Sequence, residues 1–282
     1  MKTLTIAVAS GKGGTGKTTI VTNLCSVSPV SLAILDCDVE EPNCHLFLKP
    51  QWTKSERFTV LIPEVDMEKC TLCGICQRDC RFNAIVIMGK EPLIFPELCH
   101  ACGVCARNCP ENAITEVPRE IGTIEVGKYR EHTFVHGLLD IGEAKSPPLI
   151  EEVRSYSNRN GITMIDAPPG TSCPVVATTR GVDYLVLVTE PTPFGLHDLK
   201  LAVGMANQLG LKYGVVINRS NIGDDSIKKY CTGENISILA ELPHDRRVAE
   251  LYSRGEIITD SLPEYEKLYR ALFARILKEV EG

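Results

Sequence analysis

The sequence predicts an α/β fold, in which helices cover both faces of a mostly parallel sheet and a smaller α+β unit is inserted. Short apolar runs alternate with helix-length segments in the first and last parts of the chain. Strands buried on both faces have this appearance, because each face packs against helices. Between these parts the alternation stops, and eight of the 13 cysteines fall between Cys70 and Cys109. This change of pattern indicates the insertion.

The composition is that of a globular chain with a large core, with 282 residues, 44% hydrophobic and 23% charged. The net charge of −6 gives no general attraction for nucleic acid or anionic lipid. No apolar run reaches the roughly 20 residues that span a bilayer. The first apolar run leads into a glycine-rich loop and not into a cleavage site. We therefore expect a cytoplasmic protein with no nucleic-acid partner and no membrane insertion.

The first elements are a strand, a glycine-rich loop and a helix. The run LTIAVAS predicts a buried strand, and the segment from Gly16 to Ser26 has the length of a helix. Between them, GKGGTGKT fits the phosphate-binding pattern G-x-x-x-x-G-K-[ST] in the strand–loop–helix context that the motif requires. Lys17 would reach the β- and γ-phosphates, and Thr18 would bind Mg²⁺, so a P-loop NTPase is expected. The loop residues expected at the nucleotide are Gly11, Gly13, Gly14, Thr15, Gly16, Lys17, Thr18 and Thr19.

The next strand, SLAILDCD, ends in acidic residues, and the pattern changes soon after it. The segment CTLCGICQRDCRFNAI begins at Cys70, and a matching segment, CHACGVCARNCPENAI, begins 29 residues later at Cys99. Pro63 and Pro118 stand at the margins of this repeat. We expect an inserted domain at residues 63–118 between two parts of one larger domain, residues 1–62 and 119–282.

After the insertion the alternation resumes. IGTIEVGKY and HTFVHGLLDIG predict strands, and PPLIEEVRSYSNRNG predicts a helix with proline at its start and glycine at its end. GITMIDAPPG, DYLVLVTEP, YGVVINRS and ISILAELP predict buried strands, and DLKLAVGMANQLG predicts a helix between two of them. EYEKLYRALFARILKEVE predicts a final helix with one apolar face. Its equal numbers of acids and bases favour packing on the domain over binding to a membrane.

The glycine-rich loop contains a second lysine, Lys12. KGGTGKTT resembles the deviant P-loop of the MinD/ParA superfamily of ATPases, which includes nitrogenase reductase. In that family this lysine reaches the partner's nucleotide across a dimer interface. The resemblance implies catalytic roles for Lys12 and Lys17 in an ATP-dependent homodimer, or in a heterodimer with a related ATPase.

Four further stretches extend the resemblance over the whole chain except the insertion. ILDCD implies Asp36 on the Mg²⁺ side and Asp38 as the residue that orients the attacking water. DAPPG implies that Asp166 holds Mg²⁺ through water. VINRS and ELPHD imply three residues at the adenine, which are Asn218, Arg219 and Pro243.

The clustered cysteines form C-x2-C-x2-C-x3-C twice, a pattern highly specific for two [4Fe–4S] clusters. The segment resembles a bacterial-type ferredoxin, and in such modules the fourth cysteine of each run ligates the other cluster. Zinc is the alternative, although tetrahedral zinc sites are usually built from separated C-x2-C pairs. The ligand sets expected are Cys70, Cys73, Cys76 and Cys109 for cluster one, and Cys99, Cys102, Cys105 and Cys80 for cluster two.

A further cysteine, Cys173, lies seven residues after Asp166. Nitrogenase reductase resembles this chain in having a cluster-binding cysteine at the same offset, so Cys173 is a candidate ligand for a metal or cluster that bridges two chains. The simpler interpretation, which we favour, is a small buried thiol that packs at the start of a helix.

Together these patterns predict an ATP-binding and ATP-hydrolysing dimeric switch coupled to an electron-transfer module, with ATP, Mg²⁺ and two [4Fe–4S] clusters as cofactors. Its role would be iron–sulfur or metal-cofactor assembly, or ATP-gated electron delivery to a redox or cluster-accepting partner protein. The alternative is a ParA/MinD-like spatial organiser of cellular cargo, with the module as a redox sensor or docking surface. A basic DNA-binding face or a cationic membrane helix would favour the organiser, and neither is evident in the sequence.

Overall fold

The computed structural model describes residues 3–281, and within these residues nine strands form one large sheet. The strands, in chain order, are β1 Leu4–Ala9, β2 Leu32–Asp36, β3 Gln51–Val65, β4 Ile85–Met88, β5 Glu91–Ile94, β6 Ile114–Tyr129, β7 His132–Leu139, β8 Ile162–Asp166, β9 Tyr184–Thr189, β10 Tyr213–Asn218 and β11 Ile238–Leu242. The helices are α1 Lys17–Ser26, α2 Cys44–Leu48, α3 Ile75–Asp79, α4 Val104–Arg107, α5 Pro147–Ser155, α6 Cys173–Thr179, α7 Pro193–Gln208, α8 Ser226–Gly233, α9 Arg246–Ser253, α10 Ile258–Ser261 and α11 Pro263–Glu281.

The strand order of the large sheet is β11-β10-β9-β1-β8-β2-β7-β6-β3. The strands from β11 to β7 are all parallel, and β6 and β3 extend this sheet in antiparallel pairing at one edge. Parallel neighbours need long crossover connections, which the helices supply. The predicted α/β fold with a mostly parallel sheet is confirmed.

Helices cover the sheet on both faces because its central strands alternate their side chains between two apolar cores. In β1, Ile6 and Val8 belong to one core, which also contains residues of α1 and α11. Ala7 and Ala9 belong to the other core, which contains residues of α5, α7 and α8. Within residues 3–281, no helix is both long and apolar enough to cross a bilayer.

The sequence did not predict β3. This strand lies at the sheet edge with β6 as its neighbour, most of its side chains are exposed, and about half of them are polar. Only its second half shows the alternation of a half-buried strand, through Phe58, Val60 and Ile62. An edge strand can be polar because one of its faces and one of its sides meet water.

β3 and β6 are paired from Gln51 and Lys128 at one end to Val65 and Ile114 at the other, and where β6 no longer pairs with β7, before Gly122, they form a two-stranded arm. Beyond that end the chain forms a small unit with the helices α3 and α4 and the separate hairpin β4–β5. The expected boundaries at residues 63 and 118 fall within the paired arm. The assignment of residues 63–118 as a domain therefore stays a prediction.

The pairing of Val65 with Ile114 allows a test of that domain assignment. Replacing residues 66–113 by Asn-Gly should close the arm as a hairpin, because this dipeptide favours the type I′ turn of two-residue hairpins. Neither of the two large cores contains a described residue from 66–113, so the remaining chain should still fold. Circular dichroism should show a cooperative thermal transition. A broad, non-cooperative transition would show that the sheet needs the inserted unit.

Candidate nucleotide site and cysteine cavities

A cleft of about 320 Å³ opens where β1, β2, β8, β10 and β11 end. Ligands of open parallel sheets bind at this edge, because the loops that follow the strands converge there. Most of the residues expected at the nucleotide line this cleft, although they come from four separate segments. Those at its wall are Gly13, Gly14, Gly16, Lys17, Thr18, Thr19, Asp38, Asn218, Arg219 and Pro243.

The loop before α1 is held in place by Asn218. Its side-chain amide donates a hydrogen bond to the carbonyl of Thr15 at 2.8 Å. Gly16 adopts φ +93, and a Cβ there would lie 2.5 Å from that amide nitrogen. Glycine is therefore required at this position on two grounds, the left-handed backbone and the contact. Asn218 shapes the phosphate loop as well as lining the cleft, which the sequence did not indicate.

A buried acidic centre lies beside Thr18. The Thr18 hydroxyl donates to Oδ2 of Asp166 at 2.6 Å. Asp36 accepts backbone N–H groups from Asn43 at 3.0 Å and from Cys44 at 2.9 Å. One side-chain ligand atom from each of Asp36, Asp166 and Cys44 lies within 4.8 Å of the others. The fold thus brings together the two acids that the sequence proposed for Mg²⁺, and adds a thiol that it did not propose.

Burial dominates the electrostatics of this centre. Burial, followed by repulsion from Asp166, raises the pKa of Asp36 well above its ordinary value. Burial also raises the pKa of Asp166, against the hydrogen bond from Thr18 and the charge of Lys17. Oδ1 of Asp166 is buried without a hydrogen-bond partner. Two buried carboxylates with a free oxygen and a nearby hydroxyl fit a hard divalent cation such as Mg²⁺, which prefers oxygen ligands.

Asp38 lies at the cleft wall near this centre. Burial, followed by repulsion from Asp166, raises its pKa to about 7, while the charge of Lys17 opposes the shift. The position fits a residue that contacts water near the phosphates. Its assignment as the water-orienting residue stays a prediction.

Lys12 lies outside the cleft wall and is partly exposed. Its Nζ is 3.9 Å from Oε2 of Glu190, and the other oxygen of Glu190 is 2.9 Å from the guanidinium of Arg219. Arg219, expected at the adenine, therefore also forms an ion pair near the P-loop. The role of Lys12 across a dimer interface stays a prediction.

The far end of the cleft is closed by the loop that contains Pro243. Next to it, the backbone N–H of His244 donates to the side chain of Asn221 at 2.6 Å, and that side chain donates back to the carbonyl of His244 at 3.2 Å. His244 lines the cleft as well, as do the helices that follow. No local pattern marks His244 or Asn221, because their contact joins residues 23 positions apart.

Two smaller cavities lie in the small unit beyond the arm, residues 66–113, which we call the inserted unit. Each cavity is lined by four cysteines. Each quartet combines the first three cysteines of one run with the fourth of the other, which is the grouping that the ferredoxin resemblance implies. Cavity one is lined by Cys70, Cys73, Cys76 and Cys109. Cavity two is lined by Cys80, Cys99, Cys102 and Cys105.

The sequence repeat is also a repeat of backbone conformation. The amide of Ala84 donates to Sγ of Cys80 at 3.3 Å, and the amide of Ala113 donates to Sγ of Cys109 at the same distance. Equivalent residues of the two halves share left-handed φ angles, in the pairs Leu72 and Ala101, Gly74 and Gly103, and Asn83 and Asn112.

The sulfur spacing and the donor set bear on the metal that each cavity could hold. In residues 3–281, no three cysteine sulfurs lie within 4.8 Å of one another. Sulfurs around one tetrahedral zinc ion with Zn–S bonds near 2.3 Å would lie about 3.8 Å apart, so the sulfurs of each quartet are not positioned as they would be around a bound zinc ion. The donor set of four thiols fits a four-iron cluster.

Cys173 is the first residue of α6, as the simpler interpretation expected. The expectation of a buried thiol is wrong, because Cys173 is exposed.

Comparison with known proteins adds the family and the fold. The family model described as CobQ/CobB/MinD/ParA nucleotide binding domain matches residues 6–258. An uncharacterised protein of Methanocaldococcus jannaschii is 31% identical over 89% of this chain and 90% of its own length. An iron–sulfur cluster carrier protein of Aquifex aeolicus is 26% identical over 98% of this chain and 67% of its own length. The septum site-determining protein MinD of Pyrococcus horikoshii, solved with Mg-ADP, has a TM-score of 0.62 at 18% identity over 99% of this chain and 98% of its own, which shows the fold.

The acidic centre can be tested with Asp166→Asn, which removes one of two buried charges. Without metal, the free energy of unfolding should rise by about 1 to 3 kcal/mol, because an uncompensated buried charge is destabilising by at least this amount. Calorimetric titration should show that ADP binding no longer responds to Mg²⁺. Asp183→Asn is the control, since Asp183 is exposed at the opposite end of the sheet. Lower metal-free stability with an intact Mg²⁺ response would contradict the assignment.

Proposed function

Since this chain belongs to the CobQ/CobB/MinD/ParA family of P-loop ATPases, we propose that it is an Mg²⁺-dependent ATPase whose nucleotide state is coupled to a two-cluster iron–sulfur module. The observation that carries the proposal is the grouping of eight cysteines into two cavities, each with its own quartet. These cavities lie in a unit whose two ends both continue into the sheet of the ATPase.

In the ATPase part, the residues around the cleft have distinct roles. Lys17 neutralises phosphate charge, and Thr18 and Asp166 hold the cation, with Asp36 behind them. Bound Mg²⁺ supplies charge stabilisation for the transferred phosphoryl group. Asp38 orients the attacking water. Phosphoryl transfer depends on positioning and charge neutralisation more than on covalent chemistry, so this set is sufficient for slow hydrolysis.

Lys12 links ATP hydrolysis to the pairing of two chains. Two chains pair around ATP, as a homodimer or with a related ATPase, and each Lys12 neutralises charge on the partner's nucleotide. Its partial exposure and its long 3.9 Å distance to Glu190 leave it available for that movement. Fast hydrolysis then depends on dimerisation.

In the inserted domain, residues 63–118, the cysteines of cavity one would hold cluster one and those of cavity two would hold cluster two. The N–H···S bonds from Ala84 and Ala113 stabilise negative charge on the ligand sulfurs and so contribute to the cluster potentials. The similarity to an iron–sulfur cluster carrier protein supports iron–sulfur chemistry. The partner is a protein that accepts electrons or a cluster, in metal-cofactor assembly or in ATP-gated electron delivery.

Cys173 has a separate role in this proposal, as a ligand for a metal or cluster that bridges two chains. Its exposure at the start of α6 makes the thiol accessible to a second copy. Asp166 ends the strand that leads into the loop before Cys173, so nucleotide binding would move this thiol.

Iron analysis tests the module. After anaerobic reconstitution, the protein should contain about eight iron and eight sulfide per chain, and Cys80→Ser should contain about half of each, because one quartet stays complete. Electron paramagnetic resonance of the reduced variant should show one cluster. Cys173→Ser is the matched control that leaves both quartets intact, and any iron beyond eight that it loses marks the bridging site. Stoichiometric zinc in place of iron would refute the module.

Dimer-dependent hydrolysis can be tested with Lys12→Ala. The variant should bind nucleotide normally but lose ATP-dependent dimerisation, and its ATPase rate should fall by about 100-fold, as when one charge-stabilising donor is removed. Light scattering with ATP and a phosphate-release assay measure the two effects. Lys212→Ala, at an exposed site before β10, should behave as the unmodified protein. Full activity of Lys12→Ala would show that Lys12 does not act on the partner's nucleotide.

A further inference from the structure

The two cysteine cavities differ in their relation to the ATPase domain. All described residues that line cavity one belong to the inserted unit and the arm ends next to it, from Val65 to Ile114. Beside cavity two, a further cavity of about 470 Å³ is lined on one side by Cys99 and His100. Its other side is formed by ATPase residues that include Lys145 and Cys173. Cavity two is therefore the one that faces the ATPase.

Lys145 joins these two sides directly. Its side chain is only 12% exposed, and its ammonium donates to the backbone carbonyl of Pro96 at 3.3 Å and to that of Glu97. Glu97 lies two residues before Cys99, the first ligand expected for cluster two. The nearby carboxylate of Glu143 is 3.8 Å from the ammonium. A nearly buried lysine with this set of acceptors is held in one position and carries its charge close to cavity two.

Ser146, the next residue, connects this contact to the nucleotide cleft. Ser146 is buried, and its hydroxyl donates to Oε1 of Glu40 at 3.3 Å. Glu40 lies in the loop after β2, between Asp38 and Glu41, which both line the cleft. A movement of that loop on nucleotide binding would therefore act on Ser146 and on Lys145 beside it.

The second nucleotide-sensing loop reaches the same place. It runs from Asp166 to the start of α6 at Cys173, which lines the cavity beside Lys145. α5 begins directly after Ser146, and its Arg154 donates to the carbonyls of Ala177 and Arg180 at the end of α6, at 2.7 and 2.8 Å. These bonds tie α5 to α6. The loop after β2 therefore contacts Ser146 directly, and the loop after β8 leads to Cys173, which lines the same cavity as Lys145 and Ser146.

We propose that cluster two is the nucleotide-responsive cluster, and that Lys145 and Ser146 are the positioning residues that couple it to the cleft. The inference rests on the proposed function, and it names which of the two clusters ATP controls. Cluster one then exchanges electrons with a redox partner protein without direct dependence on nucleotide.

The coupling is electrostatic. Reduction of a [4Fe–4S] cluster adds one negative charge, and a nearby ammonium stabilises the reduced form more than the oxidised form. A shift of Lys145 relative to residues 96–99 therefore changes the potential of cluster two. The effect is strong at this site because Lys145 is largely shielded from water, and it weakens with distance toward cluster one.

The test is a redox titration of the reconstituted full-length protein, followed by electron paramagnetic resonance, with Mg-ADP and with Mg and a non-hydrolysable ATP analogue. In the unmodified protein, one of two midpoint potentials should shift between the two nucleotides. Lys145→Met should make that potential more negative and remove its nucleotide shift, and Lys145→Arg should restore both. Lys69→Met is the matched control, since Lys69 adjoins Cys70 of cluster one, and it should keep the nucleotide shift.

Ser146→Ala tests the contact with Glu40 without removing the charge of Lys145. The hydroxyl caps no backbone group of α5, so the helix should keep its start. This variant keeps the ammonium, and its potential with ADP should match the unmodified protein, whereas the nucleotide shift should be lost. If Lys145→Met binds less iron, the loss of the nucleotide shift in Ser146→Ala tests the inference instead.

The outcomes distinguish the inference from the proposed function. If the unmodified protein shows a nucleotide shift that persists in Lys145→Met and in Ser146→Ala, the inference is wrong and the proposed coupling stands. If Lys69→Met abolishes the shift instead, cluster one is the responsive cluster. If neither potential of the unmodified protein depends on nucleotide, the proposed coupling itself fails.

Discussion

The structure depends most on two buried carboxylates placed side by side. Asp36 and Asp166 end adjacent parallel strands in the same register, at the edge of the sheet where the loops converge. Two carboxylates buried together are unfavourable without a compensating cation. Backbone N–H groups of Asn43 and Cys44 and the hydroxyl of Thr18 compensate only in part. The loops after β2 and β8 are therefore anchored on a buried acidic centre whose charge a bound cation would offset.

That anchoring gives the proposed coupling a continuous structural route from the acidic centre to the inserted unit. β7 pairs with β2, and the amide of Leu139 at its end donates to the carbonyl of Val39 in the loop after β2, at 2.8 Å. β7 also pairs with β6, which continues into the arm. The arm is thus two strands away from Asp36. A module attached through one flexible terminus would lack this continuity.

The inserted unit has little hydrophobic core of its own. Its helices α3 and α4 are too short to be stable alone, and its hairpin has only two strands. Few of its side chains are buried, with Ala84, Ile85, Ala113 and Ile114 as the main ones. Below about 40 residues a domain usually needs disulfides or metals, and a unit this poor in core has the same need. Metal bound by the cysteine quartets would therefore contribute to folding as well as to function.

The sequence by itself determined what depends on residues close together in the chain. The P-loop with its strand and helix, the acids at the ends of β2 and β8, and the period of the cysteine repeat are local patterns, and the fold followed from them. Tertiary structure decided what depends on residues far apart. β3 is a strand because β6 offers an edge to pair with, and Asn218 supports the P-loop across 203 residues. Cys173 is exposed and Lys145 lies beside cavity two because long-range packing sets these positions, and no local pattern encodes such contacts.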